Sequence, residues 1–269
     1  GKTITGTDNE TKSYGLININ PGAELTINGK GAITLAATNN RGWNAYSSVI
    51  SNQRGKLTVN GGTIEHLGGT DMAYAIDNLT NTGAENAETE INGGIVKSTY
   101  RAIRQFLNGI EATNELYVKA GSKIYGPANK SIWMQDPSAN ANTGKLVVED
   151  GAELYGDVYL SVTEGSTEWP VEVYIEKAAL GQNVIHAENV PADAAALVEY
   201  DTFWQVEQKN LAELTIEDAC EEYINKIEKN VAELTYKRYF DDTEWQTIVL
   251  PFDVPVADLT DQFEVAYIY

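Results

Sequence analysis

The chain has 269 residues, of which 39 are Asp or Glu and 19 are Lys or Arg, for a formal net charge of -20. A field of that sign repels phosphate backbones and anionic lipid surfaces, so nucleic acid is excluded as a partner, and no apolar run reaches the length of a membrane span. With 42% hydrophobic residues the chain can bury a core, but its length exceeds an average compact domain unless the fold is an elongated repeat.

The first segment, Lys2-Thr-Ile-Thr-Gly6, already reads as a strand. Because the chain opens there on Gly1, it is expected to be a processed form whose export signal has been removed. From here a phrase recurs: an alternating strand, a polar residue, one or two glycines, then a short apolar pair. Its copies are Leu57-Thr-Val-Asn-Gly-Gly-Thr-Ile64, Thr89-Glu-Ile-Asn-Gly-Gly-Ile-Val96, Leu116-Tyr-Val-Lys-Ala-Gly-Ser-Lys-Ile124 and Leu146-Val-Val-Glu-Asp-Gly-Ala-Glu-Leu154. Gly62, Gly94, Gly121 and Gly151 thus recur at a nearly even spacing. In the first coil two segments fit the corner, Pro21-Gly-Ala-Glu-Leu25 and Asn28-Gly-Lys-Gly-Ala-Ile33.

Two strands joined by Asn-Gly could be a hairpin. The deciding feature is a third short strand after each copy: Tyr46–Asn52, Ala73–Asn78, Arg101–Phe106, Ser131–Asp136 and Val158–Val162. Three strands per period describe an all-β, right-handed parallel β-helix over 1–190. It is a solenoid whose coils are roughly 26 to roughly 32 residues long. Equivalent positions then stack about 4.8 Å apart. Ile50, Ile76, Ile103 and Ile132 are expected in one inward ladder, and Val59, Ile91, Val118 and Val148 in another. Asn52 and Asn78 are expected to stack as a structural amide ladder at a corner.

The pattern decays after Val171-Glu-Val-Tyr-Ile175, and Pro191-Ala-Asp-Ala-Ala-Ala196 marks the expected boundary of a small α+β region over 191–269. Thr215-Ile-Glu-Asp218 has capping-box character, and Ile216, Ala219, Cys220, Tyr223, Ile224, Ile227 and Val231 recur at helical spacing. One amphipathic helix of about four turns is expected there. Leu234–Phe240, Trp245–Val254 and Phe263–Tyr269 read as strands. Cys220 is the sole cysteine, so it can form no intrachain disulfide and is expected to pack as a small hydrophobe.

The coil phrases resemble the pectate-lyase-like β-helix superfamily. The tail Tyr236-Lys-Arg-Tyr-Phe-Asp-Asp-Thr-Glu-Trp-Gln-Thr-Ile-Val-Leu-Pro-Phe-Asp253 resembles a module of large surface proteins of gut commensal bacteria. The second resemblance implies secretion or display at the bacterial cell surface. Enzymes of the β-helix superfamily carry clustered carboxylates beside a basic residue, or clustered aspartates with His and Arg-x-Lys motifs. The coils here contain no Asp-Asp pair and no Gly-His-Gly.

Chemistry is therefore sought on the outward side of the third strands, where the ladder register aligns Ser51, Asp77, Arg104 and Trp133. Asp77 and Arg104 on adjacent coils could form an acid/base pair beside an aromatic platform, and these two with Trp133 are the candidate ligand-binding face. The plainer reading is a cross-coil ion pair on a solvated face. His66 and His186 lie in coils too far apart to chelate one metal and read as surface or corner residues. Glu65, His66 and Asp71 crowd one loop with metal-capable side chains, but without a further strong ligand the metal reading stays weaker than the structural one. The acidic surface could attract divalent cations, though solubility is the simpler consequence.

Trp43, Tyr46, Tyr74, Tyr100, Tyr125, Trp133, Tyr155 and Tyr159 recur along the coils, where they could stack on glycans or cap the core. No cofactor is expected. The function expected first is a secreted or cell-surface structural or adhesive protein whose partner is a glycan or a host-surface ligand. The alternatives are a polysaccharide lyase or glycosidase, which needs suitably spaced catalytic groups, and a carbohydrate-binding module without catalysis.

Overall fold

The computed structural model describes residues 2–7, 15–36, 47–68, 73–80, 85–108, 112–137, 142–217 and 227–237. They form a β-solenoid of about 5 turns. Each coil places three strands on three parallel stacks. The first stack runs through Glu24–Ile27, the start of Lys56–His66, the start of Ala87–Ser98, Thr113–Val118, Thr143–Val148 and Val171–Glu176. Thr3–Thr7 and Ala32–Ala36 begin the second stack, and Gly15–Ile19 and Ser47–Gln53 begin the third.

The alternation of apolar and polar residues is what holds this stack, because every second side chain enters the lumen. Ile17, Ile50, Ile76, Ile103, Ile132, Val158 and Ile185 follow one another in register. Val59, Ile91, Val118 and Val148 form a second ladder, all with no exposed surface. Both expected ladders are present, in the expected register.

Of the two candidates for the first corner, Asn28-Gly29 is the true equivalent. Asn60 Nδ2 donates to Asn28 Oδ1 at 2.8 Å, and Asn92 Nδ2 donates to Asn60 Oδ1 at 2.9 Å. The glycines that follow are needed twice over. Gly94 has φ +91°, and a Cβ there would lie 2.7 Å from the carbonyl oxygen of Gly62 and 2.9 Å from the backbone of Gly61. Gly94→Ala is expected to cost about 2 to 3 kcal/mol, combining left-handed strain with a backbone clash, as a shift in a urea unfolding curve. A cost under about 0.5 kcal/mol would mean that the corner relaxes freely.

The amide ladder also forms, and extends further than its two expected members. Asn52 Nδ2 donates to Asn78 Oδ1 at 2.8 Å, and Asn78 Nδ2 donates to Asn114 Oδ1 at 2.7 Å. Thr89 stands in register between Leu57 and Leu116, where the apolar ladder is interrupted; its hydroxyl donates to Asn78 Oδ1 at 3.0 Å. Gln105 donates to the carbonyls of Asn114 and Lys145. These side chains bond to one another and to the backbone, which meets most of their needs away from water, although the buried Gln105 Oε1 has no partner among the described residues.

Ile185–Glu188 is the last strand to join the parallel stacks. Val171–Glu176, at the end of the first stack, instead pairs antiparallel with Phe203–Gln208, which pairs antiparallel with Ala195–Glu199. The change of direction covers a sheet edge that would otherwise accept another strand. Trp169 is buried beneath this end, and Gln208 Nε2 donates to the carbonyls of Trp169 and Val171.

The segment that follows departs from the helical expectation. Asn210–Glu217 and Asn230–Lys237 are strands paired in parallel, with Asn210 opposite Asn230 and Thr215 opposite Thr235. The expected cap, Thr215-Ile-Glu217, and the expected last apolar position, Val231, are thus extended; residues 218–226 lie outside the described residues. The physical reason is a repeat. Lys209-Asn-Leu-Ala-Glu-Leu-Thr215 returns as Lys229-Asn-Val-Ala-Glu-Leu-Thr235. Like segments stack in register, and Asn230 Nδ2 donates to Asn210 Oδ1 at 3.1 Å. Of the strands expected near the end, the one starting at Leu234 overlaps Asn230–Lys237, while Trp245–Val254 and Phe263–Tyr269 lie outside the described residues.

Candidate binding face

On the third stack, residues that alternate with the isoleucine ladder face outward. Ser51, Asp77, Arg104, Trp133, Tyr159 and His186 occupy one column in successive coils. Tyr74, Arg101, Lys130 and Asp157 form the column beside it. The three candidate residues, Asp77, Arg104 and Trp133, are brought together as the register implied.

Their environment differs from a solvated face. Ser51 and Asp77 have no exposed surface and Arg104 retains 2%. Every residue of Ala73–Thr80 is buried, so this strand is covered on its outward as well as its inward side. Arg104 Nε and Nη2 donate to the two oxygens of Asp77, each at 2.7 Å. The guanidinium also lies 4.7 Å from the ring centroid of Tyr74 and 4.5 Å from that of Phe106. A carboxylate held in a fork and a guanidinium held between rings are fixed in place rather than poised to exchange protons with a ligand.

Farther along the face the side chains are only partly covered. Trp133 Nε1 donates to Ser161 Oγ at 3.0 Å, and Ser161 Oγ donates to Glu188 Oε2 at 2.8 Å. Tyr159 stacks on His186 with centroids 4.3 Å apart, and His186 Nε2 lies 2.8 Å from Asp157 Oδ2. Burial pushes the Asp157 carboxyl upward, but hydrogen bonds from His186 and the Val184 amide outweigh it and hold the group below the usual carboxylate range. On the second stack Tyr125 and Tyr155 are stacked at 4.1 Å, 7° from parallel. Rings stacked along the solenoid axis spend one face on each other, while Tyr155 stays exposed. Tyr74 is buried, whereas Trp43 and Tyr46 lie outside the described residues.

His66 is not a surface residue. It sits inward on the second stack in register with Leu35, has 1% exposure, and its Nδ1 accepts from the Gly68 amide at 2.9 Å. Adjacent Glu65 points the other way and pairs with Lys97 at 2.7 Å; Asp71 lies outside the described residues. Strand alternation therefore separates His66 from Glu65, and the expected crowding does not produce a shared site. Among the described residues no group of three His, Cys, Asp or Glu side chains could hold a metal, and no helix is long and apolar enough to cross a membrane.

Burial lowers the His66 pKa from 6.5 to about 4. The unfolded chain then binds a proton more readily than the folded one. His66 leaves stability untouched above about pH 6.5 and removes it progressively as pH falls towards 4, by roughly 3 kcal/mol in all. Urea midpoints at pH 7 and 4.5 should fall further apart in the native chain than in His66→Gln. Equal differences would place the acid sensitivity elsewhere.

Comparison of the chain with protein-family models, curated proteins and solved structures finds no match.

Proposed function

We propose that the chain is a structural or adhesive module of a secreted or cell-surface protein and carries out no turnover. The observation that supports this most is the fate of Asp77 and Arg104: the one acid/base pair suggested by the register is a packed, bidentate ion pair with 0% and 2% of its side chains exposed. Cross-coil ladders on three stacks make a stiff rod, which suits display better than the opening and closing of a catalytic cleft. Placement among surface proteins of gut commensal bacteria rests on the resemblance of the tail Tyr236–Asp253.

A glycan-array screen of the purified chain with and without calcium, followed by product analysis on any polysaccharide retained, tests this reading. Binding without cleavage supports an adhesive role, and silence on the array with no product supports a structural one. Cleavage of any retained polysaccharide would overturn the proposal.

A further inference from the structure

Several cations on the coils follow a rule. Lys56, Lys97, Lys123, Lys145 and Arg104 each meet a carboxylate one coil away, on Glu88, Glu65, Glu153, Glu172 and Asp77. In a chain of net charge -20 such partners are plentiful. Lys130 departs from the rule: it is only 7% exposed, yet forms no ion pair with any described carboxylate. Its in-register neighbour on one side is a second cation, Arg101. On the other side is Asp157, whose oxygens are turned to the next coil, one to His186 Nε2 at 2.8 Å and one to the Val184 amide at 3.0 Å.

The two cations share an aromatic wall. Lys130 Nζ lies 3.0 Å from the ring centroid of Tyr159 and 4.8 Å from that of Trp133, and the Arg101 guanidinium lies 4.6 Å from the same Trp133 ring. Adjacent coils hold like charges about 4.8 Å apart in backbone register, an arrangement that is unfavourable where water is partly excluded. Burial, with the Arg101 charge adding and Glu188 opposing, pushes the Lys130 ammonium down to about 8. The aromatic wall gives Lys130 cation–π contact but no counter-charge, and buried charges are ordinarily paired, so the place suits an incoming anion.

We propose that Lys130 and Arg101 form a receptor for a single oxyanion group, a carboxylate or sulfate, presented by a free small anion or as the acidic substituent of a glycan. The group would give Lys130 the counter-charge that Lys56, Lys97, Lys123 and Lys145 find on neighbouring coils. Arg101, Trp133, Tyr159 and His186 are partly exposed, which leaves the approach open from the outer face. This goes beyond the adhesive reading and does not depend on it, since a dissolved anion binds whether or not the solenoid is displayed at a surface.

The test is a tryptophan-fluorescence titration with sodium sulfate and with sodium glucuronate at constant ionic strength, with uncharged glucose as control. The native chain should give a saturable response to the anions and none to glucose. Lys130→Met and Arg101→Gln should each weaken the anion response at least tenfold; if one variant fails to fold, the other decides. Raising pH from 7 to 9 should weaken binding several-fold in the native chain and leave Lys130→Arg unchanged. Among the described residues the charged and titratable groups around Lys130 are Arg101, Glu188, Asp157, His186 and Tyr159, with Tyr100 beside Arg101 and Tyr159, so the Lys130→Arg comparison isolates the lysine. An acidic oligosaccharide binding more tightly than glucuronate assigns the anion to a polymer, and equal affinity assigns it to the free species. Absence of a saturable anion response, or a response unchanged in both charge-removing variants, would overturn the proposal.

Discussion

Ile103→Asp is expected to lower the free energy of unfolding by about 4 kcal/mol or more, enough to melt the central coils of the solenoid. Ile103 has no exposed surface and stands between Ile76 and Ile132, themselves fully buried. The substitution removes a packed side chain and leaves a carboxylate where the neighbours offer only hydrocarbon. Because each coil touches only the coils beside it, the loss should appear first as accelerated amide exchange in Ala73–Thr80 and in Ser131–Asp136, and only then in distant coils. Ile103→Val, which deletes one methylene and keeps the shape, should cost about 1 kcal/mol. If the aspartate cost no more than the valine, Ile103 would have to face solvent, and the register of the third stack would be off by one residue.

Breaking the Asp77–Arg104 pair from either side should cost about 3 to 5 kcal/mol, because each single change strands a buried charge. Asp77→Asn leaves the Arg104 guanidinium between Tyr74 and Phe106 with its counter-ion gone, and Arg104→Met leaves a fully buried carboxylate. The double variant Asp77→Leu/Arg104→Met removes both charges and should recover most of the loss, since an apolar pair of similar volume replaces a pair that costs much to desolvate. Urea unfolding of the two singles and the double gives the coupling directly. Single variants within about 0.5 kcal/mol of the native chain would mean that water reaches the pair, as it does for surface ion pairs. That outcome would return Asp77 and Arg104 to the set of groups available to a ligand.

Much of the fold is legible because it repeats. A regular coil period, with glycine corners and alternating apolar positions, favours the stacking that turns the ladder positions inward, and the two aliphatic ladders occupy the register read from their spacing. The Asn52–Asn78 amide contact is legible for the same reason. Gln105 continues that column one coil on and Thr89 opens one of the corner phrases, but Asn114 comes from a first-stack strand ahead of its phrase, so no spacing announces it. In the C-terminal region two patterns compete. Ile216 to Val231 has helical spacing, but Lys209–Thr215 and Lys229–Thr235 are copies of each other, and that self-similarity is the stronger signal.

The candidate face divides along the same line. Alternation along a strand assigns Asp77, Arg104 and Trp133 to the outward side, and this follows from the sequence alone, because a side chain's face depends on the parity of its position. Whether an outward residue meets water is not a local property. Asp77 is sealed into a fork while Trp133 is half covered, although one outward parity runs through both; His66, two residues past Ile64, is buried as its inward parity implies. Charge pairing divides in the same way. That lysines and glutamates recur one coil apart can be counted in the chain, but that Asp157 turns from Lys130 to His186 is decided by side-chain geometry among three coils. By itself the sequence determined the coil, its register and the parity of its faces, all properties of position along a strand. Burial, partner choice and the isolation of Lys130 from the described carboxylates were decided by the tertiary structure, because they depend on what lies across the gap.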